Sequence, residues 1–154
     1  ELYNAHKERY KGYTIRELCQ EMHDFYKSVN VKDLQKAMFR KEYFPRRVLN
    51  AQEANYEFIR DNGELVRLSE AEGRVGVEGA LPYPPGVLCL VPGEVWGGAV
   101  LQYFLALEEG INLFPGFAPE LQGVYIEEDE DGRQVAWANV LTHKRETELI
   151  GKAL

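Results

Sequence analysis

The sequence predicts an α+β fold, with helices in the first third of the chain and antiparallel strands after it. Apolar residues recur at three- and four-residue intervals from Ile15 to Val29, which is the spacing of a helix with one buried face. From residue 65 onward the apolar runs become short and are separated by turns that contain glycine and proline. Helices segregated from antiparallel strands define the α+β class.

Three helices are expected before residue 63. Thr14 and Glu17 form a capping-box pattern at the start of a helix near 15–29, because each side chain can bond to the other residue's backbone N–H. Asn30 is a candidate cap for a second helix, and Asn50 is a candidate start for a third. The residues of the third helix predicted to face inward are Ala54, Phe58 and Ile59.

Two hairpins are expected in the remainder of the chain. The first would join residues 65–68 to residues 75–77 through a glycine-containing turn. The second would join residues 124–126 to residues 135–138 around Asp129–Gly132. Both pairs show short apolar runs on either side of polar turn residues.

One further strand and one further helix lie between the hairpins. Residues 87–91 are apolar without interruption and are bounded by proline–glycine pairs, which is typical of a buried strand. Residues 97–109 return to helical spacing, and Gly110 is the expected C-cap.

Composition restricts the class of protein. The chain has 154 residues, of which 45% are hydrophobic, and a net charge of −7, so it can form one folded core. Residues 1–60 carry a net +3 and residues 61–154 a net −10, and this acidic half disfavours a nucleic-acid partner. No apolar run approaches the length of a membrane span. Two cysteines do not form a disulfide scaffold, and we expect a cytoplasmic location.

The domain organisation is predicted as one domain with short terminal segments. Residues 13–141 would form the domain, whereas residues 1–12 and 142–154 are polar and are expected to be frayed or docked on something absent from this chain. The role of residues 142–154 stays open. The chain begins with Glu1 rather than methionine, from which we expect a processed chain or a piece of a longer one.

The candidate site lies in residues 79–98, where two proline–glycine pairs flank the strand predicted over 87–91. Prolines fix the backbone and glycines allow tight turns, so such loops hold side chains in defined positions. One interpretation is that this segment lines a pocket or faces a partner; the alternative is a strand that simply needs two tight turns. The candidate site residues are Tyr83, Pro84, Pro85, Gly86, Glu94 and Trp96.

These segments resemble the C-terminal domain of the bacterial ornithine/lysine/arginine decarboxylases. Residues 79–97 match the family's Pro-Tyr-Pro-Pro-Gly and Pro-Gly-Glu motifs, and residues 113–125 match its later Pro-Gly-Phe and Gly-Val-Tyr motifs. Residues 12–45 are most similar to the ornithine branch. The resemblance extends over residues 10–141, and nothing is transferred to the residues after them.

The resemblance implies an enzyme whose catalytic parts lie outside this chain. Family members use pyridoxal phosphate as an electron sink, on a lysine of a large upstream domain within a Ser/Thr-x-His-Lys pattern. Lys7 and Lys144 imitate that pattern only superficially, since each lies near a chain end without a surrounding cofactor-binding fold. We therefore expect no catalytic, cofactor-binding or metal-ligating residue in this chain, and pyridoxal phosphate only in the full-length enzyme.

Other chemically active residues have simpler interpretations. Cys19 and His23 share a helix face but lack further metal ligands, and Cys89 is typical of a small buried hydrophobe. The acids of Glu127–Asp131 do not alternate as a calcium loop requires, so a solvated turn is expected. The basic residues that could bind an anionic effector, as an alternative to a solvated surface, are Arg40, Lys41, Arg46 and Arg47.

Two functions are carried forward. The first is the C-terminal domain of an ornithine decarboxylase, which packs on the upstream pyridoxal-phosphate domain, borders the route to its active site and contributes to a homodimer or larger homo-oligomer. Whether the substrate is lysine or arginine instead of ornithine stays open, because the residues that recognise the substrate are expected upstream of this chain. The second is a free-standing, non-enzymatic binding module of the same fold. Neither hypothesis includes a nucleic acid or a membrane as a partner.

Overall fold

A computed structural model describes residues 2–150, with side chains from Asn4 onward. The helices are α1 Leu2–Ala5, α2 Lys7–Tyr10, α3 Ile15–Ser28, α4 Val31–Met38, α5 Ala51–Ile59, α6 Gly98–Leu113 and α7 His143–Ile150. The strands are β1 Gly63–Arg67, β2 Leu81–Tyr83, β3 Glu120–Gln122, β4 Val124–Glu128 and β5 Gln134–Leu141. Short 3-10 helices span Lys41–Tyr43 and Leu68–Glu70.

The strands form two antiparallel sheets, which confirms the α+β class. The larger sheet has the order β1-β5-β4, and Ala138 of β5 lies opposite Val66 on one side and Val124 on the other. The smaller sheet consists of β2 and β3. The predicted second hairpin, β4 with β5, is confirmed.

The main core lies between α6 and the larger sheet. Phe104 and Val100 of α6 are buried together with Ala136, Ala138 and Val140 of β5. Burial of one side chain as large as that of Phe104 contributes about 1.5–3 kcal/mol. Helix α4 also packs against α6, and Met38 at its end belongs to the same core. Within residues 2–150, no helix combines the length and the apolar character that crossing a bilayer requires.

Two of the predicted helix starts are confirmed atom by atom. The N–H of Glu17 donates to Thr14 Oγ1 at 3.2 Å, and the N–H of Thr14 donates to Glu17 Oε2 at 2.7 Å. The same reciprocal pair joins Asn50 and Glu53, with both bonds at 2.9 Å. Asn30 differs: its backbone is left-handed, with φ 55°, and its side chain makes no cap bond.

The inward face of α5 differs from the prediction. Ala54 is buried as expected, but Ile59 is 69% exposed and Phe58 is also exposed. The second buried residue of this helix is Glu57. The reason is tertiary: α5 turns this carboxylate toward Arg145 of α7, so a charged pair occupies the place that the apolar pattern assigned to Phe58 and Ile59.

The predicted first hairpin is wrong. Strand β1 pairs with β5, and residues 75–77 also lie against β5, on its opposite edge. The N–H of Val77 donates to the carbonyl of Asn139 at 3.1 Å, and the N–H of Leu141 donates to that of Val75 at 2.8 Å. This non-local pairing buries Val75 and Val77 against Leu141, which a two-stranded hairpin would not do.

The predicted strand over residues 87–91 is also wrong. Val87 and Leu88 are exposed, whereas Cys89 and Leu90 are buried. Only an isolated bridge joins Leu90 to Ala80. The continuous apolar run therefore divides into two residues that face outward and two that enter the core.

Gly110 does not end α6, which continues to Leu113. It is buried where the helix meets α3, and a Cβ atom at this position would lie 2.6 Å from Tyr26 Oη. The glycine therefore permits a close helix contact, rather than a C-cap as predicted.

The expectation of frayed ends is wrong for the described parts of both terminal segments. Tyr10 is buried, and its hydroxyl donates to the carbonyl of Pro115 at 2.9 Å. Helix α7 is tied to the domain by Arg145 and by Glu146, which pairs with Arg74. Residue 1 and residues 151–154 lie outside the described part. The division into a domain over 13–141 and two terminal segments stays a prediction.

Gly123 lies where the chain entering β4 closely approaches the segment before β2. It has φ +73°, and a Cβ there would lie 1.9 Å from the carbonyl oxygen of Gly79. Gly132 has φ +77° but open space around it. We expect Gly132→Ala to cost about 1 kcal/mol through backbone strain alone and Gly123→Ala to cost about 3 kcal/mol, because strain adds to a backbone clash. Urea unfolding of both variants measures the loss in the free energy of unfolding. Equal losses for Gly123→Ala and Gly132→Ala would contradict the close contact at Gly123.

The pair formed by the buried Glu57 and the half-buried Arg145 makes the stability of the fold depend on pH. Arg145 donates to both Glu57 oxygens, at 2.7 and 2.8 Å, and Asn62 donates to one of them at 2.7 Å. The hydrogen bonds from Arg145 hold the pKa of Glu57 below its ordinary value of 4.5. A carboxyl group with a lowered folded-state pKa stabilises the fold above its unfolded pKa, and this contribution is lost as the pH falls through that value toward the folded one.

We expect Arg145→Leu to reduce the free energy of unfolding at pH 7 and to flatten its decline below about pH 5, because Glu57 would lose the hydrogen bonds that contribute most to lowering its pKa. Arg133→Leu is the matched control, since the side chains of Arg133 and its partner Glu109 are 54% and 40% exposed. Urea unfolding at a series of pH values measures both effects. The same acid-range slope in wild type and Arg145→Leu would show that this pair does not contribute.

Candidate functional site

The two proline-rich segments of the sequence meet in space. Strand β2, which precedes Pro84, pairs with β3, which follows Pro119. Pro84 lies with Phe117, Ala118 and Pro119 in the wall of a cavity of about 460 Å³. Motifs that are thirty residues apart along the chain therefore form one surface, which we call the proline surface (residues 82–87 and 117–119).

Four of the predicted site residues form the exposed tip of this surface. Tyr83 is 54% exposed, and Pro84, Pro85 and Gly86 are exposed as well. The N–H of Gly86 donates to the carbonyl of Pro82 at 3.0 Å, and φ of Gly86 is +77°, which closes a tight turn. The turn thus presents an aromatic ring and two proline rings to the outside of the domain.

Glu94 supports its own turn. Its Oε2 accepts a hydrogen bond of 2.8 Å from the N–H of Val91, and its carbonyl accepts one of 2.8 Å from the N–H of Gly76. It does not cap α6, whose N-cap is Gly97 without a side-chain bond. The side chain is half-buried, so its negative charge still reaches the surface.

Trp96 stands apart from the other five predicted site residues. It is 1% exposed, and its ring packs edge-on against Phe104 at 5.4 Å between centroids. Its Nε1 has no hydrogen-bond partner among the described residues. The side chain fills the core beneath the loop and does not face solvent or a partner.

Sequence analysis predicted α4 as the second helix but missed two side chains that border the proline surface, Gln35 and Tyr103. Gln35 of α4 donates to Tyr103 Oη of α6 at 3.0 Å, and both residues line two cavities, one on each side of the loop that follows β2. Burial raises the pKa of Tyr103. A tyrosine on the inner face of an apolar helix requires a polar partner for its hydroxyl group. Tyr103, within the apolar helix predicted over residues 97–109, was therefore the signal in the sequence that could have indicated this contact.

The cavity on the α4 side measures about 380 Å³. Phe39, Pro85 and Val87 line it together with Cys89 and Tyr103, and we call the cavity formed by these five residues the socket. Burial raises the pKa of the Cys89 thiol to about 11, as is typical of a cysteine that packs as an apolar side chain.

The remaining candidates lie elsewhere on the surface. Cys19 and His23 are exposed on α3, and no three His, Cys, Asp or Glu side chains of residues 2–150 are arranged to hold a metal. Asp129 folds its own turn, because its Oδ1 accepts from the N–H groups of Asp131 and Arg133 at 3.0 and 2.9 Å. The last three acids of the stretch, residues 129–131, therefore lie in the hairpin turn as expected, whereas Glu127 and Glu128 belong to β4.

The basic cluster lies beside the Glu94 turn. Arg47 forms an isolated bridge with Glu94, and the N–H of Val95 donates to the carbonyl of Arg46 at 3.0 Å. The Arg40, Lys41, Arg46 and Arg47 side chains are exposed, and in the described part of the chain none forms a salt bridge. Binding of an anionic effector there stays a prediction.

The two lysines of the imitated motif do not fit a pyridoxal phosphate site. Lys7 lies on α2 and Lys144 on α7, and both side chains are exposed. A Schiff-base lysine must be enclosed with groups that bind the ring and the phosphate. No chemical step of the cofactor is therefore assigned to either residue.

This chain, an α+β domain with two proline-rich segments that meet in space, belongs to the Orn/Lys/Arg decarboxylase C-terminal domain family. The family model matches residues 32–142. Among curated proteins, the inducible and the constitutive ornithine decarboxylases of Escherichia coli K12 are 70% and 64% identical to this chain over 140 residues. These matches cover 91% of this chain and 19% and 20% of those proteins, so the chain spans about one fifth of their length.

A solved structure also matches the fold. The constitutive lysine decarboxylase of E. coli superposes with a TM-score of 0.76 at 30% sequence identity, over 92% of this chain and 19% of that one. The percentage identity of these two ornithine decarboxylases with this chain is thus more than twice that of this lysine decarboxylase.

Proposed function

We propose that this chain is the C-terminal domain of a cytoplasmic ornithine decarboxylase, which removes CO₂ from L-ornithine to give putrescine. The observation that carries the proposal is the 70% identity with an ornithine decarboxylase, against 30% with a lysine decarboxylase of matching fold. In this proposal an upstream domain holds pyridoxal phosphate and the catalytic lysine. The present domain packs on it, borders the route to the active site and takes part in oligomer contacts.

The geometry of the proline surface supports a packing role. Tyr83, Pro84, Pro85 and Gly86 form a rigid and exposed tip, which loses little conformational entropy when a partner covers it. Glu94 has a half-buried carboxylate, and a negative charge favours the approach of a cation such as ornithine. These five residues are the proposed domain contact and entrance.

A domain exchange tests the proposal. In the inducible ornithine decarboxylase of E. coli, the 140 matching residues are replaced by those of this chain. We expect the chimera to release CO₂ from ornithine with kcat/KM within about tenfold of the parent, since volume-conserving changes at a well-packed contact cost less than about 1.5 kcal/mol. The chain alone should release none. A chimera that folds but prefers lysine or arginine, or turnover by the chain alone, would contradict the proposal.

Glu94→Gln tests the entrance role separately. The glutamine oxygen can still accept from the N–H of Val91, so the turn is retained while the charge is lost. In the chimera we expect KM for ornithine to rise about threefold at low ionic strength, with kcat unchanged. Glu128→Gln removes an exposed acid from the β4–β5 hairpin and serves as the control. If KM stays unchanged at low ionic strength, Glu94 only supports its turn.

A further inference from the structure

The socket is an apolar cavity that opens at the surface of the domain. Phe39 from the end of α4 and Val87 from the proline surface stand at its mouth, and they are 50% and 46% exposed. Tyr103 and Cys89 are buried and form its wall. A volume of about 380 Å³ is enough for one or two large side chains.

The border of the socket is basic. Lys32 and Lys36 lie one turn apart on α4, and both line the cavity with exposed side chains. In the described part of the chain neither forms a salt bridge. Residues 31–47 contain six basic and two acidic residues, so the acids of this segment compensate only part of its charge. A matching surface must supply carboxylates around an apolar side chain.

Further exposed apolar side chains follow the socket residues along the chain. Tyr43 and Phe44 follow Phe39 within five residues and are exposed, and Leu88 follows Val87 and is exposed as well. Large apolar side chains that are exposed beside a charged border are typical of interaction sites.

We infer that the socket receives an apolar side chain flanked by acidic residues, and that this segment belongs to the upstream part of the same polypeptide. The inference rests on the proposed function. The curated relatives are about five times as long as this chain, so a much larger partner is covalently attached. A tethered partner reaches the socket without the entropy cost of a second molecule. The charge of the border selects an acidic segment.

Thiol labelling of the full-length polypeptide, expressed from its gene together with the region upstream of Glu1, tests the inference. Phe39→Cys places a thiol at the mouth of the socket, and Ile59→Cys places one on the exposed face of α5. Labelling is followed peptide by peptide by mass spectrometry, and each rate is compared with that of the same thiol in urea. We expect Phe39→Cys to be slowed about tenfold or more by burial, and Ile59→Cys to be slowed less.

Charge reversal shows whether the partner is acidic. Lys32→Glu with Lys36→Glu should raise the labelling rate at Phe39→Cys about fivefold, because like charges would then face each other. Lys144→Glu, which reverses an exposed charge on α7, should leave it unchanged. Labelling of Phe39→Cys within about threefold of the urea rate, or no effect of the double reversal, would overturn the inference.

Two further readouts distinguish an upstream segment from a second copy of the chain, and the socket assignment from the proposed function. If protection of Phe39→Cys disappears on dilution, as the sedimentation coefficient falls to that of a monomer, the socket binds a second copy and the inference is wrong. CO₂ release from ornithine is measured on the same preparations. Activity without protection overturns the socket assignment alone, and protection without activity overturns the proposed function alone.

Discussion

Strand β5 is the element on which the rest of the domain depends. Its hydrogen bonds extend along both edges: β1 occupies one, and β4 followed by residues 75–77 occupies the other. Its inner face buries Ala136, Ala138 and Val140 against α6. A central strand that is paired on both edges and packed on one face fixes the positions of all the segments beside it, because each backbone pairing sets a register.

This arrangement brings the proline-rich corners together. Residues 75–80 lead from β5 into β2, and β3 leads through Gly123 into β4, so both corners emerge from the same edge of the sheet. The contact of Gly123 with the carbonyl of Gly79 leaves no space for a side chain between them. The proline surface is therefore held by backbone contacts, and its exposed residues are available for a partner.

The site illustrates how a rigid loop divides its residues between support and contact. Glu94 and Trp96 are separated by one residue, yet the carboxylate bonds to the N–H of Val91 while the indole is enclosed beside Phe104. Tyr83 and the prolines point away from this support. The exposed part of the loop can therefore contact another surface without disturbing the core, because the core packing is made by the buried side chains.

The sequence by itself determined the features that depend on near neighbours along the chain. The capping boxes at Thr14 and Asn50 and the hairpin around Asp129 follow from interactions within a few residues, so their residue types suffice to predict them. The family motifs likewise identified the two corners. Only the tertiary structure decided that β1 pairs with β5, that Glu57 rather than Ile59 faces inward, and that Trp96 is core. Each of these depends on a partner distant in sequence, whose position no local pattern encodes.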